Sequence, residues 1–340
     1  MTGYIARRVV SSLVMVVLVS IVIFVVLRLL PGDPSTTRLG QADGLDPQAI
    51  EKMRASLGLD RPVLVQYWSW VSGLVVGDLG FSYFSGYPVS RLLAQRLPAT
   101  LELAGAGLVV GVLIALVAAI LPARTRSRTL RRLVDAGTVF GLSAPPFVIG
   151  IIAILVFSTA LGVAPSSGYV AFSVDPAANL QYLVLPALTL GIVVAAPLVR
   201  YLQGSIAEVE WSTFVRTARG KGIGWVRTLD RHILPNALLP ALTSLGITVG
   251  TLLGGSVVVE SVFAWPGVGQ QVVDAVLKRD YAVIQSVVLL TALAFVVTTL
   301  LVDVLYGVLD PRLRVSRARA RRGPGPRTSA TGPTPEAVSA

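Results

Sequence analysis

The 340-residue chain is 54% hydrophobic and only 14% charged, with a mean hydropathy of +0.74 and a net charge of +11. Soluble domains carry roughly 25% charged residues, so the chain lacks the polar surface of a water-soluble globule and reads as an all-α integral membrane protein. It has no cysteine and a single histidine, His232. That excludes a disulfide framework, a thiolate metal site and a His-cluster metal centre, and no cofactor is expected. The positive charge suits membrane-flanking segments rather than a nucleic-acid partner.

A membrane-crossing helix needs about 20 apolar residues, and six stretches qualify. The first, Val9–Leu27, follows Arg7-Arg8. It is longer than a signal-peptide core and no small-x-small cleavage site follows, so it reads as a retained helix. An outer loop, 30–98, comes next. Asp46-Pro47 opens a short helix there, Ile50, Met53 and Leu57 recur at helical spacing, and Gly58 ends it. Tyr67, Trp68 and Trp70 suit the headgroup level, either as a cap resting on the membrane or as a contact surface for a soluble partner.

The second and third spans are Ala99–Leu121 and Leu133–Leu161, the latter kinked at Pro145-Pro146, as a fixed bend or as a hinge. The fourth, Leu183–Leu202, contains Pro186 and Pro197. A basic segment, 203–235, leads to the fifth span, Asn236–Val259. "VVVESVFAWPGVGQ", Val257 to Gln270, then reads as a hooked or re-entrant turn before the sixth span, Ala282–Leu309. From Arg314 the tail, 314–340, is rich in Arg and then in Gly, Pro, Ser and Thr; it cannot bury a core and is expected to be disordered. Its arginines suit anionic lipid.

Lysine and arginine set the orientation. Dense clusters at Arg7-Arg8, Arg124–Arg132, Arg216–Arg231 and beyond Asp310 all fall on one side if both termini are cytoplasmic. Glu102, Asp135, Glu260 and Asp303 fall near span ends, where interfacial or capping roles compete with functional ones. Glu260 stands apart because it leads into the hook.

The segment "VRTARGKGIGWVRTLDRHILPNAL", Val215 to Leu238, carries five cations and a Gly-x-Gly-x-Gly run. It is no P-loop: Val215 and Gly222 stand where that motif needs Gly and Ser or Thr. A dinucleotide fingerprint would need a preceding strand. The pattern instead gives one helix over Ser212–Arg219, a stop at Gly220, Gly222 and Gly224, and a second helix from Trp225. Val226, Leu229 and Ile233 share a face of that second helix, and Arg227 and Arg231 share another. Two short helices joined by glycines make a rigid knob suited to a groove in another protein.

This segment resembles the cytoplasmic loop of binding-protein-dependent ABC importer permeases, built on Glu-Ala-Ala-x3-Gly-x9-Ile-x-Leu-Pro. Arg216, Thr217 and Ala218 take the first places, Gly222 the Gly, His232 the Ile, and Leu234-Pro235 the ending. "FVRTARGKG" is similar to the dipeptide/oligopeptide version, with Gly220 replacing an Ala. "RLLPGDP", "LGLDRP", "GDLGFS", "RLPATLEL", "LPALTLG", "VVVESVFAWPGVG" and "DVLYGVLDPRLR" extend the resemblance along residues 1–313. The short N-terminus and "LPGDP" resemble the first of the two permeases such systems pair.

The resemblance implies a type I importer permease fold in a bacterial plasma membrane. It implies a second, C-type permease completing the pore, two cytoplasmic ATPase subunits and an extracytoplasmic binding protein as partners. Arg216, Thr217, Ala218, Arg219, Lys221 and Gly222 would dock on an ATPase, with Leu234 and Pro235 fixing the angle of the fifth span. Glu260, Phe263, Trp265, Pro266 and Gly267 would gate the pore or meet the binding protein. Peptides are the implied cargo, with nickel complexes or glutathione as alternatives. An ion-coupled secondary transporter would need mid-span carboxylates and, commonly, two related halves, and no internal repeat is visible. An intramembrane enzyme would need paired catalytic groups, which the sequence lacks.

Overall fold

The computed structural model describes residues 2–29 and 47–309. Regular structure among them is helical, with one isolated bridge between Phe81 and Pro88. Four helices are long and apolar enough to cross a membrane, or six if each of two bent pairs counts as one span. The tail, 314–340, and the start of the outer loop, 30–46, lie outside the described residues.

Helix α1 (Thr2–Leu29) lies at the edge of the bundle. Only 11% of its apolar window is buried, so most of its side chains are exposed. After the short α2 (Pro47–Ser56), α3 (Val63–Val75) leans on the C-terminal end of α1. The Phe24 ring meets Tyr67 edge-on at 5.2 Å and stacks on Trp70 at 6.0 Å. Arg28 donates to Gln66 Oε1 at 2.6 Å. Of the three aromatics in this cap, Tyr67 and Trp70 are therefore spent on α1, and Trp68 is the exposed one.

The bundle is built around α4 (Val89–Thr125) and α7 (Pro176–Glu210). Despite Pro186 and Pro197, α7 is the most buried span, with 67% of its window covered. Its start follows from local chemistry: Asp175 accepts from the amides of Ala177 and Ala178, and Pro176 supplies a preset φ at the first helical position. Small residues let the two helices approach closely. A Cβ on Gly111 would lie 2.9 Å from the Gly191 carbonyl oxygen, and one on Gly107 would lie 2.9 Å from Leu190 Cβ. Lipid offers no hydrophobic drive for association, so this close packing supplies the cohesion.

The segment expected as a kinked third span is broken. Pro145 excludes the helical conformation for the residue before it, and Ala144 is extended (φ −78°, ψ 130°). Helix α5 (Arg128–Ser143) ends there, and Pro146 starts α6 (Pro146–Ala153), which runs into a π-helical stretch, Ile154–Ala160. The two halves bend by 117°. The inner half follows α7, with Gly141 against Ala196 and with Gln203 donating to Asp135.

Short helices α8 (Thr213–Gly220) and α9 (Trp225–Thr228) precede α10 (Leu234–Val262). Helix α11 (Val268–Leu277) then leads to α12 (Tyr281–Leu309). Just before α12, the buried Asp280 carboxylate accepts from Ser82 Oγ and from the amides of Tyr83 at 2.9 Å and Phe84 at 3.3 Å. That ties the loop before α4 to the start of α12.

Replacing Gly111 by Leu should cost roughly 1–3 kcal/mol or more through overpacking, read as a lower melting temperature in detergent. Gly105→Leu on the same helix, where a Cβ meets nothing within 4 Å, should leave that temperature nearly unchanged.

Candidate functional site

Two assemblies hold the residues singled out above, and both are pinned to α4. The first begins where α7 ends. Ser212 adopts an extended conformation and caps α8, so the helix starts at Thr213 rather than Ser212. Lys221 closes it, and Gly222 turns the chain with φ +79°, donating its amide to Arg219 O. This left-handed turn is what glycine permits and a side chain resists. Arg216, Thr217, Arg219, Lys221 and Gly222 are exposed, while Val215 and Ala218 are buried.

The expected apolar face of the second helix divides. Leu229 and Ile233 are fully buried, whereas Val226 is 40% exposed. The cause is a π-helical stretch, Leu229–Ile233, directly after α9, whose wider turn breaks the i, i+3, i+4 repeat. The same stretch accommodates Pro235, whose ring would otherwise meet the carbonyl four residues earlier. Leu234 is half-buried and Pro235 exposed, and the chain stays helical from Trp225 into α10. The outward apolar surface of the knob comes instead from Trp211, Phe214 and Val226.

Several contacts hold the knob that sequence reasoning did not assign. The Trp225 indole donates to the Ala123 carbonyl of α4 at 2.8 Å. Arg126 lies 4.0 Å above the same ring. Arg124 pairs with Asp230 at 3.5 Å and Arg219 with Glu210 at 3.9 Å, exposed pairs that each add little. Val215, Leu229 and Ile233 belong to one buried cluster with Leu198, Val199 and Leu202 of α7. The knob is thus an extension of the membrane core. A tryptophan within a basic loop was the available signal; its acceptor 102 positions away left none.

The second assembly is the hook. Glu260 is fully buried. Its carboxyl group accepts from Thr100 Oγ1 at 2.8 Å and from the Gln270 amide in the first turn of α11 at 3.0 Å. Thr100 Oγ1 in turn accepts from the Val268 amide at 2.7 Å. The Trp265 indole donates to the Ala99 carbonyl at 2.8 Å, and the Tyr169 ring meets it edge-on at 4.7 Å. Ala264 bends the chain with φ +50°. Gly267 is required by proximity, since a Cβ there would overlap the Glu260 carboxyl group.

The structure therefore brings Glu260, Phe263, Trp265 and Gly267 together as a buried clasp, with Pro266 half-buried and Ala264 exposed at its rim. Phe263 and Trp265 have no surface free to meet a soluble protein in this conformation. Glu102 is half-buried and accepts from Tyr169 at 3.4 Å. Partial burial and the neighbouring Glu102 carboxylate push the Tyr169 phenol above its ordinary value, which keeps it a neutral donor. Asp135 is exposed on α5, and the Asp303 side chain lies outside the described set.

Thr100→Val should lower the melting temperature by an amount equivalent to about 1–3 kcal/mol, because it strips a donor from a buried carboxylate and an acceptor from the Val268 amide. Thr100→Ser, which keeps both hydrogen bonds, should stay close to the unmodified protein in the same thermal scan.

Comparison with known proteins places this architecture. Residues 107–315 match the family described as the binding-protein-dependent transport system inner membrane component, and residues 1–104 match its N-terminal membrane-component family. The glutathione transport system permease protein GsiC of Escherichia coli (strain K12) is 40% identical over 314 residues, covering 92% of this chain and 99% of that protein. The protein of the same name from Shigella dysenteriae serotype 1 (strain Sd197) shows the same identity and coverage. Among solved structures, the inward-facing MetNI methionine ABC transporter superposes with a TM-score of 0.54 at 20% identity. The match covers 64% of this chain and 96% of that one, and it is a likeness of fold alone. The chain belongs to the binding-protein-dependent transport system inner membrane components, the permease subunits of ABC importers.

Proposed function

We propose that this permease forms half of a translocation pore, pairs with a second permease, and takes its stroke from cytoplasmic ATPase subunits through the 203–235 loop. An extracytoplasmic binding protein delivers the cargo. Nucleotide hydrolysis resides in the partner subunits, because nothing in this chain resembles a nucleotide site. The arginine clusters support an orientation with both termini in the cytoplasm, in the plasma membrane of a bacterium. The cargo is a short peptide. Dipeptides and oligopeptides fit the sequence resemblance, and the 40% identity to a glutathione permease supports a tripeptide thiol within the same class.

One observation carries this reading. The knob is exposed where a partner would grip it and continuous with the core where force must leave it. Trp211, Phe214 and Val226 give it an apolar outer surface, edged by Arg216 and Lys221, the composition of a docking patch whose apolar anchors dominate affinity. Inward, Leu229 and Ile233 lie in the same buried cluster as α7, Trp225 grips α4, and the chain stays helical into α10. A push on such an element moves three spans together, as transmission through packed contacts requires.

Gly222→Val forces a branched residue into a left-handed turn, a local strain of roughly 1–2 kcal/mol, with open space around it. In proteoliposomes containing the assembled importer, peptide uptake should fall about tenfold or more while membrane insertion and nucleotide hydrolysis persist. Uptake equal to that of the unmodified importer would overturn the docking role.

A further inference from the structure

Three arginines at the start of α5 stand without carboxylate partners. Arg128, Arg131 and Arg132 are exposed, the first turn of α5 holds no acidic residue, and no ion pair reaches them among the described residues. Cations there add to the positive end of the helix dipole instead of offsetting it. With Arg126 they wall a cavity of about 590 Å³ between α4, α5 and α7, floored by Trp225. Neither carboxylate on the same walls pairs with these arginines: Asp135 accepts from Gln203, also in the lining, at 3.2 Å, and Glu210 pairs with Arg219 outside it.

A second hollow adjoins this one. A groove of about 440 Å³ runs along the inner half of α4, lined by Leu113, Val117 and Leu121 and, from α5, by Leu130 and Val134. Pro122 lines both the groove and the basic cavity. From Leu113 to Pro122 the helix rises about 14 Å. An apolar trough leading to a nest of unpaired arginines matches a molecule with a hydrocarbon end and an anionic end.

We propose that the cavity and groove together bind one anionic phospholipid, its phosphate among Arg128, Arg131 and Arg132 and an acyl chain along Leu113–Leu121. A soluble phosphate would satisfy the arginines but not the groove, which favours the lipid. The bound headgroup would neutralise the corner where α4, α5 and Trp225 meet, beside the knob. Binding of lipid does not depend on cargo, on ATPase partners or on the docking role, so this proposal and the importer reading fail separately.

The test is lipid retention by the purified full chain. Detergent-solubilised protein is mixed with equal phosphatidylglycerol and phosphatidylcholine and examined by native mass spectrometry. Phosphatidylglycerol should be retained preferentially, and the combined Arg128→Gln, Arg131→Gln and Arg132→Gln variant should lower its retention roughly tenfold to a hundredfold. Val117→Trp, which fills the groove and keeps the arginines, should also lower it, whereas Arg227→Gln with Arg231→Gln should not. Equal retention of both lipids, an unchanged preference in the triple variant, or equal loss in the Arg227/Arg231 variant would overturn the proposal. So would displacement by inorganic pyrophosphate combined with indifference to Val117→Trp, which would assign the arginines to a soluble phosphate.

Discussion

The fold depends on how closely α4 and α7 can approach. Inside hydrocarbon, apolar side chains gain nothing by leaving lipid for one another, so helices cohere through contact and through internal hydrogen bonds. Gly107, Gly111 and Gly191 bring the two backbones together. The carbonyls of α4 then serve as anchorage. The Trp265 indole binds Ala99 and the Trp225 indole binds Ala123, each at 2.8 Å, at points about 36 Å apart along the axis. Hook and knob are fastened to one helix at its opposite ends.

The two assemblies handle polarity differently. The hook buries a carboxyl group and satisfies it with a hydroxyl and an amide from the first turn of α11, so the chain reversal leaves that group hydrogen-bonded. The knob keeps its cations exposed and buries aliphatic groups together with one hydroxyl, Thr228, which donates to the Gly224 carbonyl. Phe263 and Trp265, residues that suggest a contact surface in the sequence, are the mortar of the turn. The exposed residues of the knob, by contrast, are free to be gripped.

What could be read from the sequence followed from residues whose effects are local. Long apolar stretches marked the spans, Gly220, Gly222 and Gly224 marked a helix stop, and the "FAWPGVG" run marked a reversal. What could not be read lies in facing and pairing. Val226, Leu229 and Ile233 look like one face at α-helical period, but the π-helical stretch turns Val226 outward and the other two inward. Pro145-Pro146 reads as a kink, yet the restriction on Ala144 makes a 117° break. Glu260 and Thr100 are separated by 160 positions, and no local pattern ties them. The prolines of α7 suggest an interrupted helix, whereas the span runs unbroken and is the most buried of those described.

The loose seating of α1 bears on biogenesis. Its lipid-facing length asks nothing of the other spans, and its contacts are made at one end, through Phe24, Leu27 and Arg28, with α3 and α12. Those partners emerge from the ribosome later, α12 last of all. The nascent chain can therefore leave its opening helix parked in the bilayer as a mooring, and recruit it sideways only when the remainder has assembled.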